Sequence, residues 1–141
     1  MTSRRPVLAG IDHVAITVAD IETTSAFYDR LFGASVLRNH MLGDRLIIRV
    51  LNIGGGVQLS IHQHGNGVDL VAARPTPGSV DICFRIDGTI GQAAAHLQEH
   101  GIAIIEGPSP RHDSDGHAAH SIYFRDPDNN LIELMARNDP G

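Results

Sequence analysis

The segment IDHVAITVADIETTSAFYDRLFG, residues 11–33, decides the fold because a strand pattern runs directly into a helix pattern. Apolar and polar residues alternate over residues 11–19, which is the two-residue period of a strand with one buried face. Asp20 is a typical helix N-cap residue, and apolar residues at helical spacing follow it up to Gly33, a typical C-cap residue. The segment therefore predicts a short strand followed at once by a helix that packs on it.

The same order of elements occurs twice along the chain, which indicates an internal repeat. In the first half the helix is followed by three predicted strands, at 34–41, 45–53 and 57–63. In the second half a strand, a helix and three strands are predicted at 80–86, 90–100, 102–106, 118–125 and 131–136. The turn-forming sequence DPDNN, residues 126–130, predicts a hairpin between the last two strands.

One helix per half, rather than one between every two strands, indicates an α+β fold and not a doubly wound parallel sheet. We expect two tandem βαβββ modules that form a curved mixed sheet around a cleft, since neither half could bury its sheet face alone. The expected division is an N-terminal tail (1–10), a first module (11–63), a linker (64–79) and a second module (80–137), together one domain.

Composition excludes several classes of partner. The net charge is −5 and no basic run is longer than Arg4-Arg5, so no nucleic-acid partner is expected. The longest apolar runs are too short to span a bilayer, so no membrane partner is expected. Cys83 is the only cysteine, which excludes an intrachain disulfide, and the N-terminus has no apolar signal segment. We therefore expect a cytoplasmic protein.

Strand alternation predicts which side chains point into the cleft, because alternate residues face opposite sides of a sheet. The apolar residues pack against the helices, which leaves on the cleft side His13, Gln58, His62, Asp81, Cys83, Arg85 and Glu133. Glu133 lies between Ile132 and Leu134, and a carboxylate there is costly to bury unless it meets a cation or hydrogen-bond donors. That cation could be Arg85 in a structural ion pair, or a metal ion.

Two carboxylates and an imidazole on inward faces suit one divalent ion with a preference for oxygen and nitrogen: Fe(II), Mn(II), Ni(II), Co(II) or Zn(II). Such a site keeps open positions for a chelating substrate. Taken singly, His13 could be a core histidine and Gln58 a simple hydrogen-bonding residue, and Asp81 is the weakest ligand candidate. Together, and with His13 and Asp81 at matching places of the repeat, they favour a metal site.

These motifs resemble a known superfamily. HVAITVADIETTSAFYDRLFG resembles the opening of vicinal-oxygen-chelate proteins, which include glyoxalases, fosfomycin- and bleomycin-resistance proteins and extradiol dioxygenases. IYFRDPDNNLIELM is similar to their closing signature, in which the glutamate is a metal ligand. RPTPGSVDICFRI and IEGPSPR resemble the narrower group around glyoxalase domain-containing protein 5. The resemblance extends from about residue 11 to residue 136.

The resemblance implies a ligand set. The first-strand histidine is His13 and the closing glutamate is Glu133, while Asp81 stands where the second module usually has a histidine. The fourth-strand ligand corresponds to Gln58 by comparison with glyoxalases, or to His62 by comparison with the narrower group. Glu133 and His62 are also the residues expected to take part in catalysis by moving a proton.

The resemblance also implies a function. We expect a metal-dependent lyase, isomerase or dioxygenase of glyoxalase type whose substrate chelates the metal through adjacent oxygens, in a homodimer whose clefts are completed across a two-fold axis. The alternative is a metal-independent protein that binds a drug, as bleomycin-resistance proteins do. The histidine-rich segment RHDSDGHAAH, residues 111–120, is expected to form a mobile flap over the cleft, with a second metal site as the alternative.

Overall fold

The computed structural model describes residues 5–138, and its helices and strands follow the predicted strand–helix–strand–strand–strand order twice. The first module contains β1 (Val14–Val18), α1 (Ile21–Phe32), β2 (Ser35–Leu42), β3 (Arg45–Gly54) and β4 (Val57–Gln63). The second contains β5 (Asp81–Arg85), α2 (Ile90–Glu99), β6 (Glu106–His112), β7 (Ala118–Arg125) and β8 (Leu131–Arg137). Of the predicted N-terminal tail, residues 1–4 lie outside the described residues. No helix within residues 5–138 is long and apolar enough to cross a membrane.

Each module forms its own four-stranded sheet, with strand orders β1-β4-β3-β2 and β5-β8-β7-β6. The first strand of each module pairs in parallel with the last, and the other pairs are antiparallel. The predicted α+β fold of two tandem βαβββ modules is confirmed. The predicted mixed sheet consists of two sheets, each with this mixed pairing.

Helix α1 begins and ends where the sequence predicts. The Asp20 carboxylate accepts a 2.9 Å hydrogen bond from the Thr23 N–H, as an N-cap does. Gly33 has φ of 68° and donates its N–H to the Asp29 carbonyl, which closes the helix in the left-handed conformation that glycine adopts without strain.

The two modules share their apolar core. Ile16, Leu59 and other residues on the helix-facing side of the first sheet pack with α1, and Phe84 of β5 joins that cluster. Conversely, Leu31 of α1 packs among the core residues of the second module, such as Phe124. The modules therefore form one packed unit, with the opposite face of each sheet left open.

The position of β6 differs from the prediction. The strand was expected at 102–106 but occupies Glu106–His112, where Pro108 and Pro110 lie on the outer strand of the second sheet. Proline is tolerated on an edge strand because its missing N–H removes no hydrogen bond from the sheet interior. Ile102 and Ile104 instead pack against the second core without belonging to a strand.

The segment 111–120, expected to form a flap, is largely strand. Strand β6 continues to His112 and β7 starts at Ala118, so only residues 113–117 form the connection. The segment is a hairpin, and its two ends are paired in the sheet.

Candidate functional site

An open cleft of about 750 Å³ lies where the two modules meet. The residue preceding β1, the β3–β4 turn, β5 and the β6–β7 turn form its walls. Its polar lining includes His13, Gln58, Cys83 and Arg85. The volume is in the range of small-molecule sites.

His13 and Gln58 form the part of the cleft that the first module contributes. The parallel pairing of β1 with β4 places Val14 opposite Leu59, so His13, which comes just before β1, lies next to Gln58 of β4. The His13 side chain is 53% exposed, and its Nδ1 lies 2.8 Å from the Asp12 carboxylate. An imidazole and an amide are thus presented side by side.

His62 lies further along β4 and does not line this cleft. It is paired with Thr17 of β1 and borders a separate cavity of about 100 Å³ that is lined in part by the connection between the modules. Burial, together with the nearby His40, lowers the pKa of His62 below its usual value. Of the two alternatives for the fourth strand, Gln58 is therefore the one that neighbours His13.

Glu133 is the centre of a row of side chains on the open face of the second sheet. Strand pairing places Cys83 of β5 on one side of it and Tyr123 of β7 on the other. Burial raises the pKa of the Cys83 thiol to about 11, and the charge of Glu133 and a hydrogen bond with it act in the same direction. Both neighbours are therefore neutral at pH 7.

Arg111 extends this row and was not anticipated from the sequence. Its Nε donates a 2.9 Å hydrogen bond to the Tyr123 hydroxyl, and its guanidinium carbon lies 5.5 Å from the centre of the Tyr123 ring. Because Arg111 donates to this oxygen, the tyrosine proton points away from Arg111. Burial, and then the charge of Glu133, raise the pKa of Tyr123 above its usual value. The signal for Tyr123 was its place between the core residues Ile122 and Phe124, which turns it to the open face.

Asp81 begins β5, two residues before Cys83 on the same face, and is exposed. Within residues 5–138 of one chain, His13, Asp81 and Glu133 do not come together as a metal-binding group. The one such group there consists of Asp113, Asp115 and His117, whose candidate ligand atoms all lie within 4.8 Å of one another.

The carboxylates of that group organise the β6–β7 turn. One Asp113 oxygen accepts the backbone N–H groups of Asp115 and His117, each at 2.9 Å, and the other accepts Nε of Arg137. Asp115 accepts a second Arg137 nitrogen at 2.9 Å. Burial opposes ionisation of Asp113, but these hydrogen bonds outweigh it and lower its pKa.

Asp113 and Asp115 of the same turn are also the ion-pair partners of Arg85. Its guanidinium lies 4.0 Å from Asp113 and 3.9 Å from Asp115. Within residues 5–138 Glu133 takes part in no ion pair. The structural ion pair between Arg85 and Glu133 that the sequence allowed is therefore absent.

Comparison with known proteins identifies relatives along nearly the whole chain. The model of the Glyoxalase/Bleomycin resistance protein/Dioxygenase superfamily matches residues 10–134. The glyoxalase domain-containing protein RDO1 of Mycosarcoma maydis is 41% identical over 136 residues, which are 96% of this chain and 73% of RDO1. Virulence protein STM3117 of Salmonella typhimurium is 38% identical over 128 residues, which are 91% of this chain and 84% of STM3117.

Solved structures share the fold. The crystal structure of STM3117 has a TM-score of 0.82 at 35% identity, and the match covers 94% of this chain and all of that one. A mutant of the fosfomycin resistance protein FosX from Listeria monocytogenes, complexed with Mn(II) and 1S,2S-dihydroxypropylphosphonic acid, has a TM-score of 0.61 at 24% identity, with 94% of both chains covered. At that identity the likeness to FosX shows the fold alone.

Proposed function

This chain belongs to the glyoxalase/bleomycin resistance protein/dioxygenase superfamily, and on that premise we propose that it is a divalent-metal-dependent enzyme. Its substrate would be a small molecule that chelates the metal through adjacent oxygens. The observation that carries the proposal is Glu133, a carboxylate on an open sheet face whose row neighbours are a neutral thiol and a neutral hydroxyl group. Its negative charge is matched by no ion pair within residues 5–138, which suits a ligand of a metal cation.

The donor set fits such a cation. His13 offers an imidazole nitrogen, Gln58 an amide oxygen, and Glu133 and Asp81 offer carboxylates, which together suit Mn(II), Fe(II), Co(II), Ni(II) or Zn(II). Mn(II) in the crystal structure of FosX, which shares the fold, supports this choice of metal class. When bound, the ion would act as a Lewis acid on a lyase, isomerase or dioxygenase reaction.

We further propose that two chains complete each site. His13 and Gln58 lie on one module and Glu133 and Asp81 on the other, and one chain does not gather His13, Asp81 and Glu133. A two-fold axis would bring the first module of one protomer to the second module of its partner, since a two-fold operator pairs the same two surfaces twice. A mixture of His13→Ala and Glu133→Ala chains would then regain metal binding on subunit exchange, whereas sites within one chain would stay defective.

Among the side chains, Glu133 would hold the metal, and His62 is the proposed proton acceptor. Its lowered pKa keeps the imidazole neutral at pH 7, which is the form that a general base requires. His62 borders the neighbouring cavity at Thr17, so a substrate must extend along β1 to reach it.

Metal titration of Glu133→Ala tests the proposal. Wild-type protein should take up about one Mn(II) or Ni(II) per chain by isothermal titration calorimetry, and Glu133→Ala should bind at least about 100-fold more weakly, because the change removes a direct ligand. Glu99→Ala, at the end of α2, removes an equal charge away from the cleft and should bind as wild type does. Wild-type metal affinity in Glu133→Ala would contradict the assignment.

The second candidate is metal-independent binding of a small molecule, because the superfamily also includes bleomycin resistance proteins. Two observations favour it: the size of the cleft, and the presence of Asp81 where relatives are expected to have a histidine. Failure of the wild-type protein to take up any of the five metals, together with tight binding of a small molecule, would support this candidate instead.

A further inference from the structure

We infer that the ligand of the cleft carries a single carboxylate group, which the Arg85 guanidinium binds. The inference deepens the proposed function, because it names the substrate class of the same cleft. Arg85 lines the cleft together with His13 and Gln58, and its side chain is 51% exposed.

Arg85 is held in position without using its hydrogen-bond donors. Asp113 and Asp115 lie 4.0 Å and 3.9 Å from it, beyond hydrogen-bond distance, and both carboxylates accept hydrogen bonds from Arg137 instead. Within residues 5–138 its guanidinium donates no hydrogen bond to the protein. Its N–H groups therefore remain available to a ligand.

The other arginines on the same sheet face are occupied. Arg111 donates to the Tyr123 hydroxyl, Arg125 to the Asn129 carbonyl at 3.3 Å, and Arg137 to Asp113. Arg85 alone among these four combines free donors with a place on the cleft wall.

The local charges select a monoanion. Arg85 and Arg137 carry two positive charges, which the two negative charges of Asp113 and Asp115 balance. Two nearby carboxylates would therefore repel a ligand with two negative charges, with no net positive charge to offset that repulsion. A planar carboxylate matches the guanidinium fork with two parallel hydrogen bonds and needs only one charge.

Apart from the adjacent oxygens that would chelate the metal, the rest of the ligand is expected to be apolar. Val14, Val57, Ile82 and Met135 line the same cleft, so the body of the ligand would displace water from apolar surface while its carboxylate reaches Arg85. The predicted class is thus a small monocarboxylic acid with an apolar body.

Binding of benzoate to metal-free protein tests the inference, with benzamide as the neutral probe of the same shape. By titration followed with NMR, wild-type protein should bind benzoate at least about tenfold more tightly than benzamide, since charge-assisted hydrogen bonds exceed neutral ones. Arg85→Gln should lose this preference and bind benzoate at least about tenfold more weakly, with benzamide affinity unchanged. Arg30→Gln, on the exposed side of α1, carries the same charge change and should bind as wild type does.

Arg85→Lys serves as a second variant, because it keeps the charge opposite Asp113 and Asp115 but lacks the planar fork; it should also bind benzoate more weakly. Wild-type benzoate affinity in Arg85→Gln, or equal affinity of wild-type protein for benzoate and benzamide, would overturn the inference. Stronger binding of phenylphosphonate than of benzoate at pH 8 would overturn the choice of a monoanion. Because metal is absent throughout, these outcomes are independent of the titration that tests Glu133 as a metal ligand.

Discussion

The Tyr28 hydroxyl group donates a 3.0 Å hydrogen bond to the Asp126 carboxylate, 98 residues away in the sequence. Tyr28 is fully buried in α1 of the first module, and Asp126 lies in the β7–β8 turn of the second. The same turn accepts the backbone N–H of Ala19 at 3.1 Å through Asp128. These bonds tie the second module's hairpin to α1 and to Ala19, which lies just before that helix, and so hold the two modules together.

Replacing Tyr28 by Phe should lower the free energy of unfolding by about 1–2 kcal/mol, because a buried hydrogen bond is lost while the ring still fills its place. Asp126 would keep its bond from the Asn130 amide, which limits the loss. Urea denaturation measures the change, and an unchanged midpoint would show that the bond contributes nothing to module packing.

The same variant should change how stability depends on alkaline pH. Burial, and then the charge of Asp126, raise the pKa of Tyr28 far above its usual 10.0. Above pH 10 the unfolded chain loses this proton and the folded protein keeps it, so unfolding becomes easier as pH rises. Tyr28→Phe should lose less stability than wild type between pH 9 and pH 11. Parallel pH profiles for the two proteins would contradict this cause.

Replacing Gly107 by Ala should destabilise the protein by more than about 2 kcal/mol. A Cβ at this position would lie 2.3 Å from the Ser121 carbonyl oxygen and 3.0 Å from the Ile122 Cα, both part of the backbone of β7. Gly116→Ala is the matched control, since its φ of 83° is also positive but a Cβ there meets nothing within 4 Å. Equal losses in the two variants would show that the contact with β7 is unimportant.

Gln58 and His62 should differ in their effect on metal affinity. Only Gln58 shares the cleft with His13, so Gln58→Ala should weaken Mn(II) binding by at least about tenfold, and His62→Ala by less than that. Both variants leave His13 and Glu133 intact, which makes each a control for the other. A larger loss in His62→Ala would mean that the ligand set extends toward the neighbouring cavity.

Much of the fold could be predicted because local sequence and tertiary structure agree. Asp20 and Gly33 bound α1 as expected, and the DPDNN turn forms a hairpin in which Asp126 accepts the N–H groups of Asp128 and Asn130. These are short-range rules, in which a few residues satisfy their own backbone groups.

Strand β6 could not be predicted in the same way. Its sequence EGPSPRH has no alternation of apolar and polar residues and contains two prolines, so composition favours a loop. It becomes a strand because β7 offers hydrogen-bonding groups along its outer edge, which is a long-range cause. The apolar residues before it, Ile102 and Ile104, match a strand pattern, but they belong to no strand and pack against the core of the second module.

The candidate site could likewise be predicted where the local pattern decides, and not where a contact distant in the sequence decides. Alternation placed Gln58, Cys83 and Arg85 on the cleft side, and these residues line the cleft. It does not reveal that Arg85 is paired with Asp113 and Asp115, because that contact depends on how the β6–β7 turn folds over the sheet.

The prolines of β6 also affect how the molecule behaves in concentrated solution. A regular outer strand invites another chain to extend the sheet, but Pro108 and Pro110 leave gaps in the row of donors that an incoming strand would need. At the outer edge of the first sheet, β2 interrupts its regular pairing twice, between Val36 and Arg38 and between His40 and Met41. Both outer strands therefore disfavour the addition of a strand from another molecule, which is the first step toward fibrils.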